Sequence, residues 1–162
     1  MKRGIILMNL GSPDSTEVDE LRKYLNEFLT DKRVIDSWFV RNILMRSVII
    51  PKRAPESANA YRTIWTKSGS PLIQFTRELS EKLEREVPYP VTIAMRYGNP
   101  SMESAFKWLL KKSPDLEEII AIPLYPHYAM SSYETAVEHA KDVHRQKKYE
   151  FKLKFTGPFY QD

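Results

Sequence analysis

The sequence predicts an α/β domain: a four-stranded parallel sheet with helices over both faces. Two observations predict it. Four short apolar runs, at 4–10, 91–95, 119–124 and 151–155, have the length and composition of strands buried inside a protein. Segments with helical periodicity separate them, and strands that alternate with helices build parallel sheets through right-handed crossovers.

The elements follow in chain order. After the first run, Asp14 with Glu17 three residues on reads as a capping box, and Val18, Leu21, Leu25, Phe28 and Leu29 recur at helical spacing. Ser70-Pro71 reads as a cap with proline at the first helical position, opening a helix striped by Leu72, Phe75, Leu79 and Leu83. After the second run, Asn99-Pro100 repeats the device ahead of Phe106, Leu109 and Leu110. After the third, Ser131 with Glu134 reads as another capping box, with Ala136, Val137, Ala140 and Val143 on the inner face. The fourth run, 151–155, alternates more than the others.

The stretch between the first and second runs is far longer than one crossover helix needs. Residues 34–50 within it hold more apolar side chains than one buried stripe requires, and Arg41, Arg46, Lys52 and Arg53 punctuate or follow them. Two readings are open. The segment is an extra helix packed on the core, or an exposed apolar lip that meets a membrane surface or a greasy ligand, with its arginines facing anions.

The 162 residues are enough for one domain with a real core, and 42% hydrophobic with 28% charged residues is the balance of a soluble globular protein. The net charge of +4 suits an anionic ligand or an acidic lipid surface. Lys and Arg are scattered among the acidic residues, which argues against a nucleic-acid partner. Without cysteine, the segment holds no disulfide, thiolate metal site or thiol nucleophile. The apolar start is too short for a signal peptide and no run approaches a membrane span, so cytoplasm is the expected compartment.

Ligands of open parallel sheets bind beyond the carboxyl ends of the strands. The loops there are Asn9-Leu10-Gly11-Ser12-Pro13, Arg96-Tyr97-Gly98-Asn99-Pro100, Tyr125-Pro126-His127-Tyr128-Ala129-Met130-Ser131-Ser132 and Thr156-Gly157-Pro158-Phe159-Tyr160. Their tyrosines and histidine suit a large, flat, aromatic ligand. No Gly-rich turn for a phosphate is present. Arg96 is either the partner of a buried carboxylate or a clamp for a ligand's acid group. His127 lacks companions at metal spacing and has an ordinary hydrogen-bonded role open to it. His139 and His144 read as solvated helix surface. Capping explains Ser70, although a helix start also attracts anions.

Four motifs, in order, resemble the amino-terminal motifs of bacterial ferrochelatases. They are Gly4-Ile5-Ile6-Leu7-Met8-Asn9-Leu10-Gly11-Ser12-Pro13-Asp14, Tyr61-Arg62-Thr63-Ile64-Trp65 leading to Gly69-Ser70-Pro71-Leu72, Met95-Arg96-Tyr97-Gly98-Asn99-Pro100, and Leu124-Tyr125-Pro126-His127-Tyr128-Ala129-Met130-Ser131-Ser132. The resemblance runs along essentially the whole chain. It implies two similar Rossmann-like domains with a porphyrin held between them, residues 1–162 forming the first, with a helical lip at about 34–66. It implies an enzyme, a lyase that inserts ferrous iron into protoporphyrin in the last step of haem biosynthesis. Its substrates are ferrous iron and porphyrin, and no cofactor is required. By the resemblance, Leu10 lies under the macrocycle. Arg53, Tyr61 and Ser70 contact the propionates, Arg96 and Tyr97 line the cleft floor, and His127 stands on the inner wall in an accessory role toward iron or protons.

The resemblance also implies that Trp38, Phe39, Ile43 and Leu44 make peripheral contact with the inner membrane. The family's main catalytic histidine, in a Ser-Ala-His-Ser-Leu-Pro stretch, and its partner glutamate belong to the second domain. Neither is found here, so this segment alone is expected to be inactive. Two alternatives stand beside this reading. One is a non-catalytic tetrapyrrole-binding domain. The other is a related cobalt chelatase, disfavoured because those enzymes lack the long lip and the Tyr61-to-Ser70 pattern.

Overall fold

The computed structural model describes residues 2–160. Four strands, β1 (Arg3–Ser12), β2 (Val91–Gly98), β3 (Glu118–Pro123) and β4 (Lys152–Phe155), form one parallel sheet in the order β2-β1-β3-β4. The helices are α1 (Val18–Leu29), α2 (Ile50–Ile64), α3 (Pro71–Glu86), α4 (Met102–Lys112) and α5 (Thr135–Gln146). Wider π-helical turns lead into two of them, at Val40–Ile49 before α2 and Met130–Glu134 before α5. The expected α/β architecture is therefore present, with each apolar run inside or overlapping a strand.

The chain divides into two compact units. One holds the residues up to Leu10, Phe75–Arg96 and those from Pro100 on; the other holds Gly11–Gln74 and Tyr97–Asn99. In the first, Ile6, Met8, Ala94, Ile119 and Ala121 face Met102, Ala105, Phe106 and Leu109 of α4 and Ala136 and Ala140 of α5. Each large side chain buried there contributes roughly 1.5–3 kcal/mol. The opposite face of β1 meets α3, where Asn9 Nδ2 donates to Thr76 Oγ1 at 3.1 Å. That bond explains a departure from the expected stripe. Thr76 and Ser80 turn inward, while Phe75 and Leu79 are left exposed at 65% and 45%.

In the second unit, Leu21, Ala54 and Ala58 form the centre of a small core between α1 and α2, flanked by Val18, Leu25 and Tyr61. The π-helical turns ahead of α2 bury no side chain. Pro51, in the first turn of α2, has no N–H to give and its ring crowds the carbonyl of Ser47, at the end of the widened segment. Trp38 and Phe39 are each 64% exposed, and Ile43, Leu44 and Val48 are exposed as well. These five side chains are exposed and are not packed on the core.

The expected caps fared worse than the helices they announce. Glu17, not Asp14, precedes α1, and it makes no side-chain cap. Ser101 caps α4 by accepting from Ser104 N at 3.2 Å. Asp14 and Asn99 instead bond to each other at 2.8 Å. Ser131 lies exposed inside the π-helical turn before α5 and caps nothing. His144 is not surface either. Its Nε2 donates to the Phe151 carbonyl at 2.8 Å among the rings of Phe106, Tyr149 and Phe151.

One backbone crossing is unusually tight. Gly11 (φ +108) and Gly98 (φ +74) adopt a conformation that side-chain-bearing residues rarely hold, and a Cβ on Gly11 would stand 1.9 Å from the Tyr97 carbonyl oxygen. Gly11→Ala is expected to cost about 3 kcal/mol or more. At this chain length that is a fall in Tm of roughly 6–12 °C. Thermal unfolding with an unchanged midpoint would show that the crossing relaxes.

At the opposite end of the sheet Glu118 is 1% exposed, with Lys154 Nζ at 2.6 Å and Arg3 Nε at 2.9 Å. The hydrogen bond from Lys154, aided by the charges of Lys154 and Arg3 and opposed by burial, holds the carboxyl below the usual glutamate value. A carboxyl lowered on folding stabilises the protein above its unfolded pKa, and that stability is lost as pH falls through the folded one. The Tm advantage of the native chain over Glu118→Gln should therefore be full near pH 7 and shrink below about pH 4. A difference that does not change with pH would exclude this ion pair as its source.

Candidate functional site

Because the sheet is parallel, the loops after its strands leave from one edge. In the first unit this edge carries Leu10 and Arg96 near the ends of β1 and β2, and His127 in the loop after β3. Leu10 and Arg96 are half-buried and His127 is exposed. The Nε of Arg96 donates to the buried Thr135 hydroxyl at 2.8 Å, tying β2 to the start of α5.

The loops after β3 and β4 hold each other. Phe159 N donates to the Pro126 carbonyl at 3.1 Å, and Tyr133 Oη donates to the Thr156 carbonyl at 2.7 Å. The His127 ring stacks on Tyr160 with centroids 5.2 Å apart and planes 27° apart. Tyr128 hydrogen-bonds to Glu134, which raises the pKa of its phenol. Tyr128, Met130, Phe159 and Tyr160 stay exposed beside His127. The result is a braced rim of aromatic and thioether surface that can lie against a flat apolar ligand. Among the described residues no His, Cys, Asp or Glu side chains group as a metal site.

The other expected residues belong to the second unit. Arg53 is exposed on α2, and among the described residues it has no acidic partner. Tyr61, two turns further along α2, is half-buried with its ring edge-on to Tyr24 and Trp65. Thr66 and Gly69 close a tight turn through paired backbone bonds of 3.0 and 3.1 Å. The turn delivers Ser70, buried, to the head of α3, where its carbonyl accepts from Gln74 N.

Tyr97 is fully buried. Its hydroxyl donates to Asp31 Oδ2 at 3.0 Å, and its ring packs edge-on against Tyr24 and Phe28. In this chain it organises the interior of its unit. Its partner Asp31 is buried, and Glu27 accepts from Gly98 N at 2.9 Å. The sequence reading missed both acids, which lie at the end of α1 and beyond it with no spacing that pairs them to a loop far along the chain. Thr135 and Tyr133 were missed for the same reason.

A hollow of about 460 Å³ lies elsewhere, lined by Lys2, Arg3, Tyr89, Lys112 and Asp115 among others. It is at the amino-terminal end of the strands, open to solvent, and Lys2 is already paired with Asp115. The parallel topology places ligands at the other edge, so the carboxyl-edge loops remain the candidate site.

The ferrochelatase family matches residues 2–162. The ferrochelatase of Opitutus terrae is 44% identical over 164 residues, covering 99% of this chain and 47% of that protein. Those of Porphyromonas gingivalis and Pseudomonas fluorescens strain Pf0-1 are 43% and 44% identical, each over 96% of this chain. The chain spans just under half the length of these curated relatives. With one family matched along virtually its whole length, the chain belongs to the ferrochelatases.

Proposed function

We propose that the full-length parent of this chain inserts ferrous iron into protoporphyrin to form haem, and that residues 1–162 contribute to it as a porphyrin-holding half. The observation that carries the reading is the ferrochelatase match over residues 2–162, whose four loop motifs include the braced aromatic rim. On this reading, Leu10 supports the face of the macrocycle. Arg53, Tyr61 and Ser70 hold the propionates, with the Arg53 guanidinium free to make a charge-assisted contact to a carboxylate. Arg96 and Tyr97 keep the ends of the strands in place, and His127 stands near the ring in an accessory role toward iron or protons.

Metallation exchanges two pyrrole protons for one ferrous ion, so the reaction needs a base against the ring as well as a surface to hold it. The side chains of this half are suited to holding, and the proton chemistry is assigned to the rest of the parent. The exposed Trp38, Phe39, Ile43 and Leu44, with Arg41 and Arg46 among them, support a peripheral contact with an acidic membrane on the cytoplasmic side. No described helix is long and apolar enough to cross a membrane.

In the full-length parent, Arg53→Ala should weaken porphyrin binding roughly tenfold or more, the size of one charge-assisted hydrogen bond. A fluorescence titration with protoporphyrin measures this, and an unchanged Kd removes Arg53 from the site. Residues 1–162 alone should give no haem absorption when mixed with protoporphyrin and ferrous iron. Turnover by the segment would place the base within it and refute the division of labour.

A further inference from the structure

Thr135 is the polar exception at the inner start of α5. The other buried residues of that helix, Ala136, Val137 and Ala140, are apolar, and Thr135 is buried as completely as any of them. A hydroxyl taken that far from water must be bonded to offset its desolvation. Arg96 Nε, 39 residues away in sequence, donates to it at 2.8 Å. Valine has the same shape and would fill the space equally well, so packing alone does not call for the hydroxyl.

The segment that ends at Thr135 also carries His127. It leaves β3 where Leu124 N donates to the Met8 carbonyl at 2.8 Å, and Tyr133 Oη holds it to the Thr156 carbonyl at 2.7 Å. Residues 124–135 are thus tied in turn to β1, to the loop after β4 and, through Thr135, to Arg96 near the end of β2. Arg96 is half-buried on the carboxyl edge, in the same compact unit as Leu10 and His127. An arginine gripping a ligand loses rotamer freedom. One whose Nε is already held loses less, and the plane of its guanidinium is set beforehand.

We propose that Thr135 is a positioning residue of the porphyrin site: its buried hydroxyl fixes the Arg96 guanidinium before the ligand arrives, and so raises the affinity of this edge for porphyrin without touching it. The inference rests on the porphyrin-holding role proposed above. It gives Arg96 a duty toward the ligand beyond its bond within the fold, and it makes the His127 loop and the Arg96 side chain one braced unit. Holding of this kind acts on bound substrate and transition state alike, so it belongs to KM and not to kcat.

Fluorescence titrations with protoporphyrin compare the native full-length parent with Thr135→Val, Thr135→Ser, Arg96→Ala and the Thr135→Val/Arg96→Ala double variant. Thr135→Val should weaken binding roughly tenfold, the size of one hydrogen bond to a charged group. Thr135→Ser keeps the hydroxyl and should bind within about twofold of the native chain. In the Arg96→Ala background Thr135→Val should cost nothing further, because the group it acts through is gone. In steady-state turnover the loss should lie in KM for porphyrin, with kcat within about twofold. Native affinity in Thr135→Val, an equal loss in both backgrounds, no rescue by serine, or a loss confined to kcat overturns the proposal. A native parent that does not bind protoporphyrin overturns the porphyrin reading itself, whereas native binding left intact by Arg96→Ala overturns only the positioning role. Should Thr135→Val fail to fold, the native parent still decides. Without ligand, its Arg96 Nε proton, assigned by its loss in Arg96→Lys, should exchange with water roughly tenfold or more slowly than that of the exposed Arg85. Equal exchange would show that Arg96 is not held in advance.

Discussion

The backbone crossing of Gly11 against Tyr97 is the constraint around which the second unit is built. A carbonyl oxygen occupies the space where any other residue would place a Cβ, and Gly98 meets the Ser12 carbonyl in the reciprocal sense. Two loops distant in sequence are thereby held at backbone contact. Side chains then lock the crossing from α1 and beyond: Glu27 takes the Gly98 N–H, Asp31 takes the Tyr97 hydroxyl, Asp14 takes the Asn99 amide, and Tyr24 donates to the Gly11 carbonyl at 3.4 Å. Of these, the Tyr97–Asp31 and Tyr24–Gly11 bonds use buried polar groups, which left unpaired would cost roughly 1–3 kcal/mol each. The crossing is thus fixed twice, by sterics at the glycines and by satisfied polarity around them.

That double fixation explains which features could be read from the chain and which could not. Strand runs such as 4–10 were legible because burial on two faces, unbroken over residues 4–8, leaves a continuous apolar signature in local sequence. The edge carrying Leu10, Arg96 and His127 was legible because parallel topology alone decides where loops leave. The caps were not. Asp14 and Asn99 each have the right residue type beside a helix start, but they have a better partner in each other, across a contact no local pattern encodes. Tyr97 was grouped with ligand-facing residues by its motif, whereas its hydroxyl is consumed by Asp31. His144 sits at a surface-like spacing, yet the aromatic trio that buries it comes from two other parts of the chain.

The helix α3 gives the clearest physical lesson. Periodicity identified Leu72, Phe75, Leu79 and Leu83 as one stripe, and a stripe ordinarily marks the face toward the core. Here the strand beneath presents the half-buried amide of Asn9, which Thr76 answers with its hydroxyl. Thr76 therefore wins the inner position and carries Ser80 with it one turn on, which rotates the leucine stripe outward. A single polar residue on a strand has set the rotation of a whole helix, and the apolar residues it displaced become surface.

Two kinds of exposed apolar surface thus arise from different causes, and the difference bears on function. The lip residues Trp38, Phe39, Ile43 and Leu44 are exposed at and before π-helical turns in which no side chain is fully buried, and Arg41 and Arg46 accompany them. Such a surface suits a ligand or lipid that comes and goes. Phe75 and Leu79 are exposed because the bond between Asn9 and Thr76 sets the rotation of α3, so their exposure is fixed by the strand beneath the helix and not by the want of a face to bury.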